Sequence, residues 1–268
     1  MIPNYEGVEG LELFSGPAHI DAYRSMLLAK TADQARFIVK LMGEHKFSVL
    51  ELCCGNGRLL IALAGLRMLK YADGIDASSS RIKFALDWVE DFNKGRSFGT
   101  ECRFHTGDVS SPVPKPWSYD VGVCITGALQ YFEYWTALDI LKRMITKNNI
   151  RVVVLELYNI PHERKEMLAA GNNRLRLWEE LPLEDPFIYY LNDFTYYPDL
   201  NMMDHGKVFI GRDGGIDGGR IERLHYYTPD KVSKLVRGAG FEFVEIFSDW
   251  KGHDYYERAD QMIVIGRL

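Results

Sequence analysis

At 268 residues and 47% hydrophobic, the chain is long enough to bury one large core with a small appended lobe. Lys and Arg (32) nearly balance Asp and Glu (37), and the net charge of −5 comes with no basic block. That argues against a nucleic-acid partner and for a small-molecule or peptide substrate. The opening residues have neither a charged start nor an apolar export stretch, and no run approaches the ~20 apolar residues of a membrane helix. No membrane association and a cytoplasmic location are therefore expected. The four cysteines, Cys53, Cys54, Cys102 and Cys124, show neither zinc-site spacing nor a disulfide framework, so no metal is expected.

The first strand is expected at Phe47-Ser-Val-Leu-Glu-Leu-Cys, an apolar run ending in glycines, with helical spacing from Arg58. A strand follows at Tyr71–Asp76. A helix then runs from a Ser78 cap to about Asn93, with Ile82, Ala85, Leu86 and Val89 on its inner face. Further strands are expected at Glu101–Thr106, Tyr119–Ile125 and Ile150–Leu157, with a helix around Trp135–Thr146. The last of these strands is almost wholly apolar, as suits a parallel strand covered on both faces. This alternation predicts an α/β fold, a Rossmann-like doubly wound sheet.

After Asn159 the rhythm changes. Residues 161–226 are rich in aromatics and turn residues, and Phe187–Tyr197 and Val208–Ile210 read as antiparallel strands. The pairs Gly214-Gly and Gly218-Gly read as turns. The α/β pattern returns with a helix from Thr228-Pro-Asp to about Arg237, then strands at Phe241–Phe247 and Gln261–Arg267. The expected organisation is a cofactor-binding domain made of residues 1–160 and 227–268, with residues 1–45 as a helical cap. It is interrupted between strand five and the last helix by a β-rich antiparallel insertion, 161–226, that serves as substrate-binding region or lid.

The chemistry concentrates at the strand ends. Gly55 and Gly57 allow close backbone approach, and N–H groups at the following helix start can meet a polar ligand. A dinucleotide fingerprint would need glycine at position 60, which is Leu60. Glu51 would repel a pyrophosphate but can bind an ammonium group. Asp76 can accept both hydroxyls of a ribose that carries no 2′-phosphate, and Asp108 can accept from an adenine amino group.

Glu51-Leu-Cys-Cys-Gly-Asn-Gly-Arg resembles the first motif of class I S-adenosylmethionine-dependent methyltransferases. Gly74-Ile-Asp-Ala-Ser resembles their second-strand motif, and Gly107-Asp-Val their adenine-edge motif. Tyr119-Asp-Val-Gly-Val-Cys resembles the fourth strand, and Thr228-Pro-Asp-Lys-Val with Gly238-Ala-Gly-Phe resembles the last helix-strand unit. Asp260-Gln-Met-Ile-Val-Ile-Gly-Arg resembles the closing strand. The resemblance covers about 47–158 and 228–267. It departs at Cys53, where many relatives carry glycine. It implies S-adenosyl-L-methionine as cofactor. Glu51, Cys53, Gly55, Asn56 and Gly57 would lie around its amino-acid part, Asp76 and Ala77 at its ribose, and Asp108, Val109, Ile125 and Thr126 at its adenine side.

A sulfonium is a built-in leaving group, so methyl transfer needs no metal, only an acceptor held in line and freed of water. The Asn/Asp-Pro-Pro-aromatic element of nucleobase amine methyltransferases is absent: Ile125-Thr-Gly-Ala-Leu-Gln-Tyr stands there. No Pro-Cys pair offers a cytosine-C5 nucleophile, and strand four ends without the acidic ligand of the catechol type. The tail Ser248-Asp-Trp-Lys-Gly-His-Asp-Tyr-Tyr and the Tyr-Tyr-Thr-Pro helix start resemble small-molecule N- and O-methyltransferases. These include relatives of glycine N-methyltransferase and antibiotic amino-sugar and peptide N-methyltransferases. An aromatic pocket with carboxylates suits a cationic amine. Candidate catalytic groups are Tyr189, Tyr196, His162, His225 and Asp249, and the insertion is also a candidate homodimer surface. Two alternatives stand beside this reading: a cofactor-binding but inactive partner subunit, and a nicotinamide oxidoreductase.

Overall fold

A computed structural model describes residues 17–43, 45–94, 101–110, 118–159, 173–181, 183 and 187–268. Helix α1 (Pro17–Met42) leads into strand β1 (Phe47–Leu52), helix α2 (Arg58–Gly65), strand β2 (Leu69–Asp76), helix α3 (Ser79–Asn93) and strand β3 (Cys102–Thr106). Strand β4 (Val121–Cys124), a single helical turn (Ala128–Tyr131), helix α4 (Tyr134–Asn148) and strand β5 (Val152–Tyr158) follow. These strands form one sheet with two later ones, β10 (Phe243–Phe247) and β11 (Gln261–Arg267), in the order β10-β11-β5-β4-β1-β2-β3. Only β11 opposes its neighbours; β1 pairs in parallel with both β2 and β4. The chain leaves β1 toward β2 and β3 and returns to the other side through β4. Such a switch opens a crevice at the carboxyl ends of β1 and β4, where ligands of open α/β sheets bind.

The hydrophobic pattern explains the layers. Successive residues of β1 point to opposite faces. Val49 joins a core under α1, α2 and α3 with Ile38, Leu59, Leu63, Phe84 and Trp88. Leu50 joins one under α4 (with Leu141 and Met144) and the helix Pro229–Ala239, here α5, with Leu235 and Val236. Each such fully buried aliphatic side chain stabilises the fold by about 1.5–3 kcal/mol relative to exposure. Ser78 caps α3 by accepting from Arg81 N, and Thr228 caps α5 by accepting from Lys231 N. Leu86, expected on the inner face of α3, is instead exposed; Phe84 and Trp88 take the core side.

Between β5 and α5 stands a second, four-stranded antiparallel sheet: β6 (Arg174–Glu180), β7 (Phe187–Tyr197), β8 (Met202–Gly211) and β9 (Ile216–His225), neighbours in chain order. Gly218-Gly is therefore not a turn. Lys207 pairs Arg220 while Val208 pairs Gly218, so the extra residue Gly219 lies in a β-bulge inside β9.

Candidate cofactor and acceptor site

The turn from β1 into α2 runs in left-handed backbone: Cys53 at φ 54°, Gly55 at 54° and Gly57 at 76°. Glycine adopts this readily and other residues rarely, so Cys53 carries backbone strain. The two glycines serve different ends. A Cβ on Gly55 would meet nothing within 4 Å, so this backbone faces open space. A Cβ on Gly57 would fall 2.6 Å from the Phe104 ring. Gly57 thus makes room for the protein's own core on its Cβ side. Leu60, the residue that breaks the dinucleotide fingerprint, is fully buried in that same core.

Asp76, at the end of β2, closes the turn. Its Oδ2 accepts from Gly55 N at 2.8 Å and its Oδ1 from Ser78 N at 2.9 Å. Each carboxylate oxygen retains capacity for a further hydrogen bond. Ala77 beside it is exposed, and Asn56 is buried in the turn. Asp108, past β3, is exposed and accepts from Ser110 N at 2.8 Å and Ser110 Oγ at 2.6 Å, which hold its carboxyl below its usual range. Val109 and Ile125 are buried walls.

Glu51 is the unusual group. It sits inside the last turn of β1, only 2% exposed, and its Oε2 is buried without a hydrogen-bond partner. Burial pushes its pKa up to about 8, against the pull of Arg58 and with a further push from Asp76. A buried, unsatisfied carboxyl oxygen costs about 1–3 kcal/mol, so its presence at a strand end asks for a partner.

A polar network sets the other wall. Glu156, fully buried in β5, accepts from Thr126 N (2.8 Å), Gln34 Nε2 (3.1 Å) and Trp250 Nε1 (3.3 Å), and pairs with Lys30 Nζ at 2.7 Å. Arg58 reaches Gln34 Oε1 (2.6 Å) and Thr126 Oγ1 (3.0 Å). Helix α1 is thereby fastened across the carboxyl edge, at Thr126 in left-handed backbone (φ 60°). Sequence reasoning passed over Glu156, Arg58, Lys30 and Gln34. The signal was there: Val-Val-Leu-Glu-Leu carries one charge in an otherwise apolar buried strand, as Val-Leu-Glu-Leu does at Glu51.

The inserted sheet turns one face toward this edge. Phe194, Met203 and Leu224 are buried there, and Tyr196, Tyr226 and Tyr158 of β5 pack on them. Registers place Tyr190, Asn192, His205, Lys207 and Glu222 on that same face. Tyr196 thus faces inward. Tyr189 lies on the opposite, outer face, stacked edge-on against the exposed Trp178 and away from the crevice. His225 ends β9, its carbonyl accepting from Gln130 Nε2 and its imidazole pKa lowered by burial. Asp249 lies beside α1, in a cleft of about 590 Å³ shared with Lys30, Asp33 and Tyr256, and accepts from His253 Nδ1 at 2.6 Å. His162 falls outside the described residues. No cluster of His, Cys, Asp or Glu among the described residues could hold a metal, and no described helix is long and apolar enough to cross a membrane.

Residues 49–148, which carry the turn, Asp76, Asp108 and Thr126, match a family model described as a methyltransferase domain. Over that stretch the chain is similar to methyltransferase domains. No curated protein matches the sequence. Among solved structures the methyltransferase fold extends over nearly the whole chain. The CcbJ methyltransferase of Streptomyces caelestis is similar at TM-score 0.73 and 17% identity, covering 89% of this chain and 95% of that one. CalS10 of Micromonospora echinaspora, an amino pentose methyltransferase bound to S-adenosylmethionine, is similar at 0.59 and 16%, covering 94% and 97%. The glycopeptide N-methyltransferase MtfA, also with that cofactor, is similar at 0.54 and 17%, covering 89% and 94%.

The methyltransferase turn suits S-adenosylmethionine on two structural grounds. The orphaned Glu51 Oε2 can take the ammonium of the amino-acid part, and the open side of Gly55 leaves room beside it.

Proposed function

We propose that this protein transfers a methyl group from S-adenosylmethionine to a nitrogen or oxygen of a small molecule or peptide held under the inserted sheet. The observation that carries the reading is the buried, partnerless Glu51 Oε2 beside the open Gly55 backbone. Bound there, the sulfonium would supply an electrophilic methyl and its own leaving group. Glu51 would hold the amino group, and Asp76, already fixed by two backbone N–H donors, would accept the ribose hydroxyls through its free lone pairs. Asp108, Val109 and Ile125 would border the adenine. The inner face of β7–β9 supplies aromatic walls that exclude water and hold the acceptor in line. An amine acceptor is favoured by the similarity to an amino pentose methyltransferase and a glycopeptide N-methyltransferase.

Calorimetric titration with S-adenosylmethionine, S-adenosylhomocysteine and NAD tests the cofactor. Binding of the first two and not the third is expected; absence of both would overturn the reading. Radiolabelled methyl transfer to amino sugars and peptide amines, each beside its hydroxyl counterpart, tests the acceptor class.

A further inference from the structure

Strand β6 is an open edge of the inserted sheet: among the described residues it pairs with β7 and with no other strand. A row of unpaired N–H and C=O groups is a template for a further strand. The ladder to β7 shows which groups are free. Asn173 O accepts from Tyr196 N at 2.7 Å, and Leu181 N donates to Ile188 O at 2.9 Å, in the register that sets Arg174 opposite Thr195. Odd-numbered residues therefore bond β7, and the N–H and C=O groups of Arg174, Arg176, Trp178 and Glu180 point to the open side. The side chains along this edge are sorted by charge. Arg174 (Nε to Oδ1, 2.8 Å) and Arg176 (Nε to Oδ2, 3.1 Å) share one carboxylate, Asp193, which leaves that end positive. Glu179 and Glu180, at the other end, hold no ion pair or hydrogen bond among the described residues. Between the two ends Leu177 is exposed at mid-strand. The opposite edge, β9, is broken by the bulge at Gly219 and tied to the main sheet, where Gln130 Nε2 donates to His225 O at 3.4 Å.

We infer that β6 is the interface of a homodimer, in which two copies pair β6 to β6, antiparallel, about a two-fold axis at Leu177. Free groups and charges together select this register. The bonds must be exchanged between even-numbered residues, since only those face outward. In the register centred on Leu177, Arg174 lies opposite Glu180 of the second copy, and symmetry repeats the match at the other end. Leu177 meets its own counterpart, and Leu175 lies opposite Glu179. Arg176 stands opposite Trp178, whose ring already packs edge-on against its own Tyr189 at 6.2 Å, so the pairing leans on the end charges and the apolar centre. Centring on Arg176 would set that arginine against itself, and centring on Trp178 would leave Arg174 beyond the end of the other strand. Opposite charges across a ladder are favourable and like charges are not. A second copy is the occupant this edge fits, because a strand of one sign would match only one end. The inference does not depend on the cofactor reading.

Analytical ultracentrifugation of the full-length protein should show a dimer. Glu179→Arg/Glu180→Arg makes the edge positive along its whole length and should weaken dimerisation about tenfold or more. Its circular dichroism should match that of the parent, since neither glutamate holds a partner in its own chain. Leu177→Cys tests the register separately. Facing residues that exchange no backbone bonds bring their Cα atoms to about 4.5 Å, within disulfide range. Oxidised Leu177→Cys should run as a covalent dimer on a non-reducing gel, whereas Glu179→Cys, which faces Leu175, should not. The native cysteines are buried or half-buried, so the parent serves as the uncrosslinked control. A monomeric parent protein would overturn the inference and leave the edge to a different strand. So would a dimer that Glu179→Arg/Glu180→Arg does not weaken, or cross-linking at Glu179→Cys but not at Leu177→Cys.

Discussion

Glu51 links stability to cofactor affinity with opposite signs. Its folded pKa of about 8 lies above the ordinary 4.5, so the folded protein holds that proton more tightly than the unfolded chain. Stability from this group is full below pH 4.5 and declines as pH rises toward 8, costing on the order of 1–3 kcal/mol at neutral pH. Glu51→Gln should therefore raise the Tm of the ligand-free protein while reducing S-adenosylmethionine affinity at least tenfold. An ammonium partner requires the ionised carboxylate. Cofactor affinity should then climb between pH 6 and 8, by at most about tenfold per unit, and Glu51→Gln should flatten the climb. The glycines should separate in the same spirit. Gly57→Ala forces a methyl against Phe104 and should lower Tm strongly, whereas Gly55→Ala meets no protein atom, costs only the strain of left-handed backbone (about 1 kcal/mol), and should chiefly weaken cofactor binding. Asp76→Ala should weaken the cofactor at least tenfold, part of that through the turn, since Gly55 N and Ser78 N lose their acceptor.

At the scale of elements, the main sheet was legible in the sequence because its strands are buried on both faces and its helices bury one. Those two rules leave apolar runs and spaced stripes that survive reading one chain. The inserted sheet obeys neither rule. Strand β6, Arg174-Leu-Arg-Leu-Trp-Glu-Glu, is an edge strand whose residues are mostly exposed, so its charge masked its alternation. Strand β9 hid behind a glycine pair whose role is a bulge, not a turn. At the site, Glu51, Asp76 and Asp108 could be read from strand ends, but Gln130 could not, because its partner His225 lies 95 positions further along and only folding unites them. The α1 clamp was invisible for the same reason. Glu156→Ala would leave Lys30, Gln34 and Thr126 N without their shared acceptor, at a cost of about 2–4 kcal/mol. Limited proteolysis should then cut within Pro17–Met42 well before the rest of the chain; unchanged protection would show that α1 is held by packing alone.

The whole molecule is one sheet interrupted by another. Strand β11 fills the gap between β5 and β10, pairing Gln261 to Arg267 with Tyr158 back to Val152, and Met262 to Ile265 are fully buried. Nothing in the inserted sheet can replace it, because that sheet pairs only with itself. A chain ending at Asp260 should accordingly be insoluble, whereas substitutions on the outer face of β6, such as Trp178→Ser, should leave solubility and Tm nearly unchanged. Vectorial synthesis gives this arrangement a further meaning. Strand β5 leaves the ribosome about a hundred residues before β11 does. At 5–20 residues per second, its apolar edge waits roughly 5–20 s for its neighbour. The inserted sheet, built from adjacent hairpins, can form within that interval, while the main domain stays open along β5. Translational pausing inside residues 174–225 would lengthen the exposure of that edge and lower the yield of folded protein without altering a single residue of it.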